Sequence, residues 1–280
     1  MKNPFSLKIC FSVAVSLLFL SGCASTRIIE VPDGTEVEFS SVLKELKGAR
    51  VVFVGEVHNS RSHHQIQLRI IKAMRRAGIK IAIGLEMFPK EKQEVLDKWV
   101  SGELGKGDLI RAYAENWRVP WSLYRPILLY AGKHEVPLVA LNVSSEVTHR
   151  VFTEGLGALT LQELEGFGSI KCDVDERYEA LINEAMGEHE DSEAEYINYC
   201  EAQVVWDTYM AKRIVEYLKE NPDKTMVVLS GSAHAWKRGI PRRISAMSDI
   251  TYLVVIPEMS DDIDRDNVTE GDTDFLWLDP

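Results

Sequence analysis

Residues 51–78 read VVFVGEVHNSRSHHQIQLRIIKAMRRAG: a β-branched run that reaches a glycine and then gives way to helical spacing. Val51, Val52, Phe53 and Val54 are apolar without alternation, which predicts a strand buried on both faces. Over 62–77, Ile66, Ile70, Ile71 and Met74 recur at helical intervals, and Gly78 is placed to cap the C-terminus. A doubly buried strand followed by an amphipathic helix is the building unit of a parallel sheet covered by helices.

The unit recurs along the chain. Buried strands are predicted at 79–87 (IKIAIGLEM), 137–142 (PLVALN), 225–230 (TMVVLS) and 252–256 (YLVVI). Pro89 opens a predicted helix running to 101, and a long helix over 199–219 is stopped by Asn221-Pro222-Asp223. The expectation is α/β, a three-layer α/β/α domain with a mostly parallel sheet of about five strands. Residues 155–198 are polar, acidic and punctuated by glycine, and they read as a helical insertion or lid. Val-Pro-Asp-Gly within 26–41 marks a turn, followed by a short helix near 42–46. We therefore expect a tether over 23–45 and one domain over 46–280, with no internal repeat.

The N-terminus has a different character. Lys2 and Lys8 precede or open a run, 9–20 (ICFSVAVSLLFL), that leads into Ser21, Gly22 and Cys23. That order predicts a signal peptide over 1–22. The apolar run is too short for the ~20 residues of a membrane-spanning helix. Leu20-Ser21-Gly22-Cys23 resembles the bacterial lipobox, which implies cleavage before Cys23 and its acylation with chains such as palmitate. Several acyl chains hold a protein firmly, whereas one does so marginally. Ala24 follows with no Asp, so the expected location is the periplasm-facing cell envelope, lipid-anchored in the outer membrane.

Loss of residues 1–22 removes two lysines and leaves 30 basic against 43 acidic residues, a net charge near -13 where the full chain has -11. An acidic protein of this kind is poorly suited to nucleic acid or anionic lipid surfaces. Cys10 leaves with the signal, so Cys172 and Cys200 are the remaining thiols, and in an oxidising compartment they can pair or stay free. Asp262-x-Asp264-x-Asp266 matches the start of a calcium loop. Asn267 stands where Gly is needed and Thr273 where the bidentate Glu is needed, so a solvated acidic loop is the better reading.

Two strand ends carry the same spacing. Gly55-Glu56-Val57-His58 follows the first predicted strand, and Gly231-Ser232-Ala233-His234 follows the fourth. In open α/β sheets the carboxyl edge is where ligands bind, so both GxxH segments and Glu86, at the end of the second strand, converge on one crevice. Glu56, His58, Glu86 and His234 suit either a divalent metal or general acid–base work. The plainer alternative is that they only rigidify the strand ends through hydrogen bonds. His63, His64 and Gln67 open the following helix on the crevice side. Residues 116–130 (NWRVPWSLYRPILLY) add Trp117, Trp121, Tyr124 and Tyr130 with Arg118 and Arg125, a patch able to stack on a flat ligand and pair with its carboxylates.

These motifs resemble the ChaN-like haem-binding lipoproteins, within a superfamily that includes the erythromycin esterases and the Tiki and TraB proteins. The shared segments are GEVHNSRSHHQIQ (55–67), LEMF (85–88), WSLYRP (121–126), ALN (140–142), QVVWDTYMA (203–211), GSAH (231–234) and DFLWLDP (274–280). Ser232 departs from the GNxH expected there. The resemblance implies haem capture for iron acquisition, a haem pair between two subunits of a homodimer, and iron held by tyrosine. Tyr124 is the expected ligand, with Tyr113 and Tyr130 behind it, His64 nearby and Arg118 and Arg125 on the propionates. The expected partners are haem, the membrane and an outer-membrane haem or siderophore receptor. The alternative is a metal-dependent hydrolase using Glu56, His58, Glu86 and His234.

Overall fold

A computed structural model of the protein describes residues 27–167, 170–186, 193–259 and 263–278. The expected signal segment, Cys23 and Asp262 lie outside the described residues. In chain order the strands are β1 (Arg27–Glu30), β2 (Thr35–Val37), β3 (Val51–Glu56), β4 (Ile81–Pro89), β5 (Leu138–Asn142), β6 (Thr225–Gly231), β7 (Tyr252–Pro257) and β8 (Phe275–Leu278). The helices are α1 (Phe39–Leu46), α2 (Arg61–Arg76), α3 (Gln93–Val100), α4 (Lys106–Asn116), α5 (Trp121–Lys133), α6 (Ser145–Glu154), α7 (Leu161–Phe167), α8 (Glu176–Met186), α9 (Glu193–Glu220), α10 (Ser232–Ala235) and α11 (Ile240–Met247).

One eight-stranded sheet runs β2-β1-β8-β7-β3-β6-β4-β5. Every pairing from β8 across to β5 is parallel, and β1 and β2 extend the sheet in antiparallel fashion. The alternation of side chains along each strand divides the core. Val52, Val54, Ile83, Leu85, Val227 and Leu229 pack with α1 to α5, whereas Val51, Phe53, Ala82, Met226 and Val228 pack with α9 and α11. Burial on both faces is why these strands carry apolar residues at consecutive positions.

The five expected strands all form. Three more appear, and two of them fall inside the segment expected to be a tether. Ile28 and Ile29 of β1 are buried as β1 pairs with β8, and Phe39 packs its ring 5.3 Å from that of Trp277. Tether-like sequence is thus recruited by apolar cover that only the last strand supplies. β4 also runs on to Pro89, so α3 begins at Gln93 after a 3-10 turn at Lys90–Lys92. The described part of 155–198 carries short helices joined by coil, and no described helix is long and apolar enough to cross a membrane.

Cys172 and Cys200 are joined in a disulfide that ties the segment before α8 to the buried face of α9. Cross-linking residues 28 apart removes loop freedom from the unfolded chain, worth about 3.5 kcal/mol on the entropic scale. Paired Cys172→Ser and Cys200→Ser substitution is expected to lower unfolding free energy by about that amount in urea titrations. Unchanged stability would mean that α8 is held by its other contacts alone.

Candidate functional site

Strands β3, β4 and β6 end side by side, with Glu56 in register with Gly231. Close packing there requires both glycines. A Cβ on Gly55 would lie 2.6 Å from Ile256 Cδ1 and 2.8 Å from Ser232 Oγ, and one on Gly231 would lie 3.0 Å from His58 Cε1. The glycines of the two GxxH segments therefore let α10 and the His58 ring lie against the strand ends. Ser232, the departure from GNxH, donates its hydroxyl to the Glu56 carbonyl at 3.2 Å.

Glu56 shares the parity of Val52 and Val54, so its carboxylate turns toward α2 and α5. It is 2% exposed. His58 Nδ1 bonds its Oε1 at 2.9 Å, the Tyr124 hydroxyl donates to the same oxygen, and Gln67 Nε2 donates to Oε2 at 2.6 Å. His64 Nδ1 stands 3.2 Å from Oε2 and its Nε2 bonds the His58 carbonyl at 3.0 Å. Burial by itself would raise the Glu56 pKa; the bonds from His58, His64 and Tyr124 override it and bring the carboxyl down to about 2. Burial would likewise lower His58 and His64, and Glu56 reverses both, holding them above the ordinary imidazole value.

Glu86 shares the parity of Ala82 and opens toward α9 and α10. The Gly231 amide donates to its Oε2 at 2.7 Å, and Asn142 Nδ2 donates to its carbonyl at 2.8 Å. His234 Nε2 approaches Oε1 at 3.9 Å, while His234 Nδ1 bonds Asp207 Oδ1 at 2.6 Å. Tyr178 of α8 donates to the other Asp207 oxygen at 2.9 Å. Against the lowering effect of burial, the Asp207 charge and hydrogen bond raise His234 to about 9. Two imidazoles, each oriented at Nδ1 by a carboxylate, thus flank Glu86.

All four strand-end residues are brought together as expected, but not as a ligand set: His58 is hydrogen-bonded to Glu56, His234 to Asp207, and Glu86 accepts from the Gly231 amide with His234 Nε2 at 3.9 Å. The oxygens of Glu56 are already engaged by hydrogen bonds. Among the described residues no group of three or more His, Cys, Asp or Glu is arranged to hold a metal ion. Of the two uses these residues suit, the hydrogen-bonded arrangement is that of acid–base groups and not of a divalent-metal ligand set.

The aromatic patch is also different from expectation. Tyr124 is not outward-facing: it is 1% exposed, its ring lies 4.2 Å from His64, and burial beside Glu56 pushes its phenol far above the ordinary range. A phenolate facing outward for iron is not what this position supplies. Tyr113 is also buried, with its hydroxyl on the Val119 carbonyl at 2.8 Å, and Tyr130 stacks on His134. Arg118 and Arg125 are exposed. His63 has a local role, accepting from the Val57 amide at 2.9 Å.

Asp207, Tyr178, Asn142 and Trp206 are functional neighbours that strand-end reasoning did not reach. Trp206 donates to the Asn142 side-chain oxygen and sets its ring 5.2 Å from His234. Trp206 and Asp207 lie within QVVWDTYMA and Asn142 within ALN, so the motifs marked them even though their roles were illegible.

A family model described as haem-binding uptake, Tiki superfamily, ChaN matches residues 42–244. Among solved structures, the chain is similar to ChaN of Campylobacter jejuni, described as binding haem cofacially, at 20% identity and TM-score 0.73 over 91% of this chain and 97% of that one. It also resembles a mutant of the erythromycin esterase EreC in its open conformation, at 13% identity and TM-score 0.50 over 82% and 76%. No curated protein matches it in sequence.

Proposed function

Because this chain belongs to the ChaN family of haem-binding uptake proteins in the Tiki superfamily, we propose that it is a haem-binding protein of the bacterial envelope. The observation that carries this reading is the family match across 42–244, which takes in both GxxH segments and the whole crevice. In this proposal Cys23 is acylated and anchors the domain at the outer membrane, where it serves iron acquisition by passing haem to a receptor. The disulfide supports an oxidising compartment, since such bonds persist outside the cytosol. Pairing of two copies around haem belongs to the same proposal.

The residues that would hold haem must offer an iron ligand, cations for the propionates and apolar walls. The buried Tyr124 does not meet the first requirement. A groove between α6, α7 and α9 carries a phenol, cations and an aromatic wall in Tyr209, Lys212, Arg213 and Phe167, with the carboxylates Glu91, Glu163 and Glu216 on the same walls. Haem bound there would supply a ferric centre and a planar apolar face; the chain's own part is to orient it and shield one side from water.

Titration of haemin into the detergent-solubilised protein, followed by visible absorption, tests the reading. A saturable spectral change at micromolar haemin is expected. A change that rises linearly, as in buffer alone, would remove the proposal.

The crevice favours a second reading, acid–base hydrolysis. His234, protonated at neutral pH and held at Nδ1 by Asp207, presents Nε2 beside Glu86, so a proton donor and a carboxylate acceptor share one small space. His58, held by Glu56, stands on the other side. Ester and peptide substrates would be turned over by the wild type and not by His58→Ala if this reading holds; equal rates would end it.

A further inference from the structure

Residues 170–186 are fastened to α9 at two points. The disulfide fixes Cys172 to Cys200, and a short way along the chain the Tyr178 hydroxyl donates to Asp207 Oδ2 at 2.9 Å. Cys200 and Asp207 lie about two turns apart on α9 and are both buried, so the two attachments fall on one face of that helix. Tyr178 is itself buried, with its ring 5.4 Å from that of Trp236, and Ile182 packs into the same core. The other oxygen of Asp207 holds His234 Nδ1 at 2.6 Å. The segment that carries one half of the disulfide therefore also carries the hydroxyl that engages the carboxylate behind His234.

The other polar attachments of this segment are ion pairs. Asp173 meets Arg243 at 3.2 Å and Arg242 at 3.6 Å, Asp175 pairs with Arg238, and Arg177 lies 3.3 Å from Asp272. Asp173 and Asp175 keep 56% and 42% of their side chains exposed, and pairs so open to water and salt hold little. Only the Arg177 pair reaches a buried carboxylate. Against these weak holds the disulfide is covalent, and it acts close to Tyr178. Its two sulfurs are unequally placed: Cys200 is wholly buried and Cys172 is partly exposed, so an attacking thiolate meets Cys172 first.

We propose that residues 170–186 form a redox-latched strap over Asp207 and Trp236, which a dithiol reductant opens by cleaving the Cys172–Cys200 bond. A thiolate of the reductant attacks Cys172 Sγ, the Cys172–Cys200 bond breaks, and Cys200 leaves as a thiolate that takes up a proton. The second thiol of the reductant then attacks the mixed disulfide and releases Cys172 as a thiol, so two electrons and two protons pass to the protein and the reductant ends as a disulfide. With the latch cut, the strap is held by its buried apolar side chains and the ion pairs, and it opens as a local unit while the sheet stays folded. Opening withdraws the Tyr178 hydroxyl from Asp207 and lets water reach the carboxylate that orients His234. The strap goes beyond both readings of function above, since it governs access to the His234 side of the crevice whatever is bound or turned over there.

The test is hydrogen–deuterium exchange of the full-length protein, read by peptide mass spectrometry with and without dithiothreitol, beside the paired Cys172→Ser and Cys200→Ser variant. Alkylation after denaturation verifies that both thiols have formed. Reduction is expected to speed amide exchange in 170–186 at least roughly tenfold and to leave β3 and β6 unchanged. The paired variant should exchange as the reduced protein does, with no response to dithiothreitol. Hydroxyl-radical footprinting of that variant should find Tyr178 and Trp236, both buried in the wild type, open to oxidation. Complete reduction with unchanged exchange in 170–186, or a variant in which Tyr178 and Trp236 stay protected, would overturn the strap. So would a bond that resists dithiothreitol in the folded protein. Equal acceleration in β3 and β6 would make the disulfide a general staple of the fold and overturn it as well.

Discussion

Glu56→Gln is expected to lower the unfolding free energy by about 3–5 kcal/mol, the range for breaking a buried charge network from one side. The carboxylate accepts from Tyr124, Gln67 and His58, with His64 close by, and an amide can replace only part of that acceptor set while adding an N–H among donors. The effect has a pH signature. A carboxyl held near 2 in the fold and near 4.5 when unfolded contributes stability that is complete above the unfolded value and is lost as pH falls toward the folded one. That one group accounts for a loss on the order of 3 kcal/mol between pH about 5 and about 2, where the imidazoles are protonated in both states. Urea denaturation across that window should show a steep acid arm in the wild type and a shallower one in Glu56→Gln. Parallel arms would mean that the network contributes nothing net.

Asp207→Asn is expected to be nearly as damaging and to act at the opposite end of the pH scale. Asp207 opposes the burial of His234 and raises it to about 9. A histidine raised above its unfolded value of 6.5 contributes stability fully present below 6.5 and lost as pH rises through about 9. The amount is on the order of 3 kcal/mol. The variant should lose that stability at neutral pH, and its His234 ring should titrate well below the wild-type value in proton NMR. A ring that still titrates near 9 in Asp207→Asn would trace the raised value to the nearby Glu86 charge and sink this account.

Much of the architecture was legible because doubly buried strands need consecutive apolar residues, so Val51 to Val54 and Thr225 to Leu229 announce themselves. The edge strands were not legible. β1 and β8 have four residues each, and Ile28 and Ile29 become core only when Trp277 and Phe275 arrive from the other end of the chain. In the site, Glu56, His58, Glu86 and His234 could be placed because strand ends point to a known edge. Asp207 and Tyr178 sit on helices, where no rule of spacing says which turn meets which histidine.

The sequence by itself determined the five central strands and the helices between them in outline, the edge at which the acid–base groups gather and the family to which the chain belongs. These follow from periodicity and from short motifs, which are local. Only the tertiary structure decided that Glu56 pairs with His58 and Asp207 with His234, leaving Glu86 on the Gly231 amide, that Tyr124 is buried against Glu56, and that Tyr209 lines a groove shared by cations and carboxylates. Those outcomes depend on which helix covers which face of the sheet, and burial and hydrogen bonding between residues far apart in the chain are properties of that packing alone.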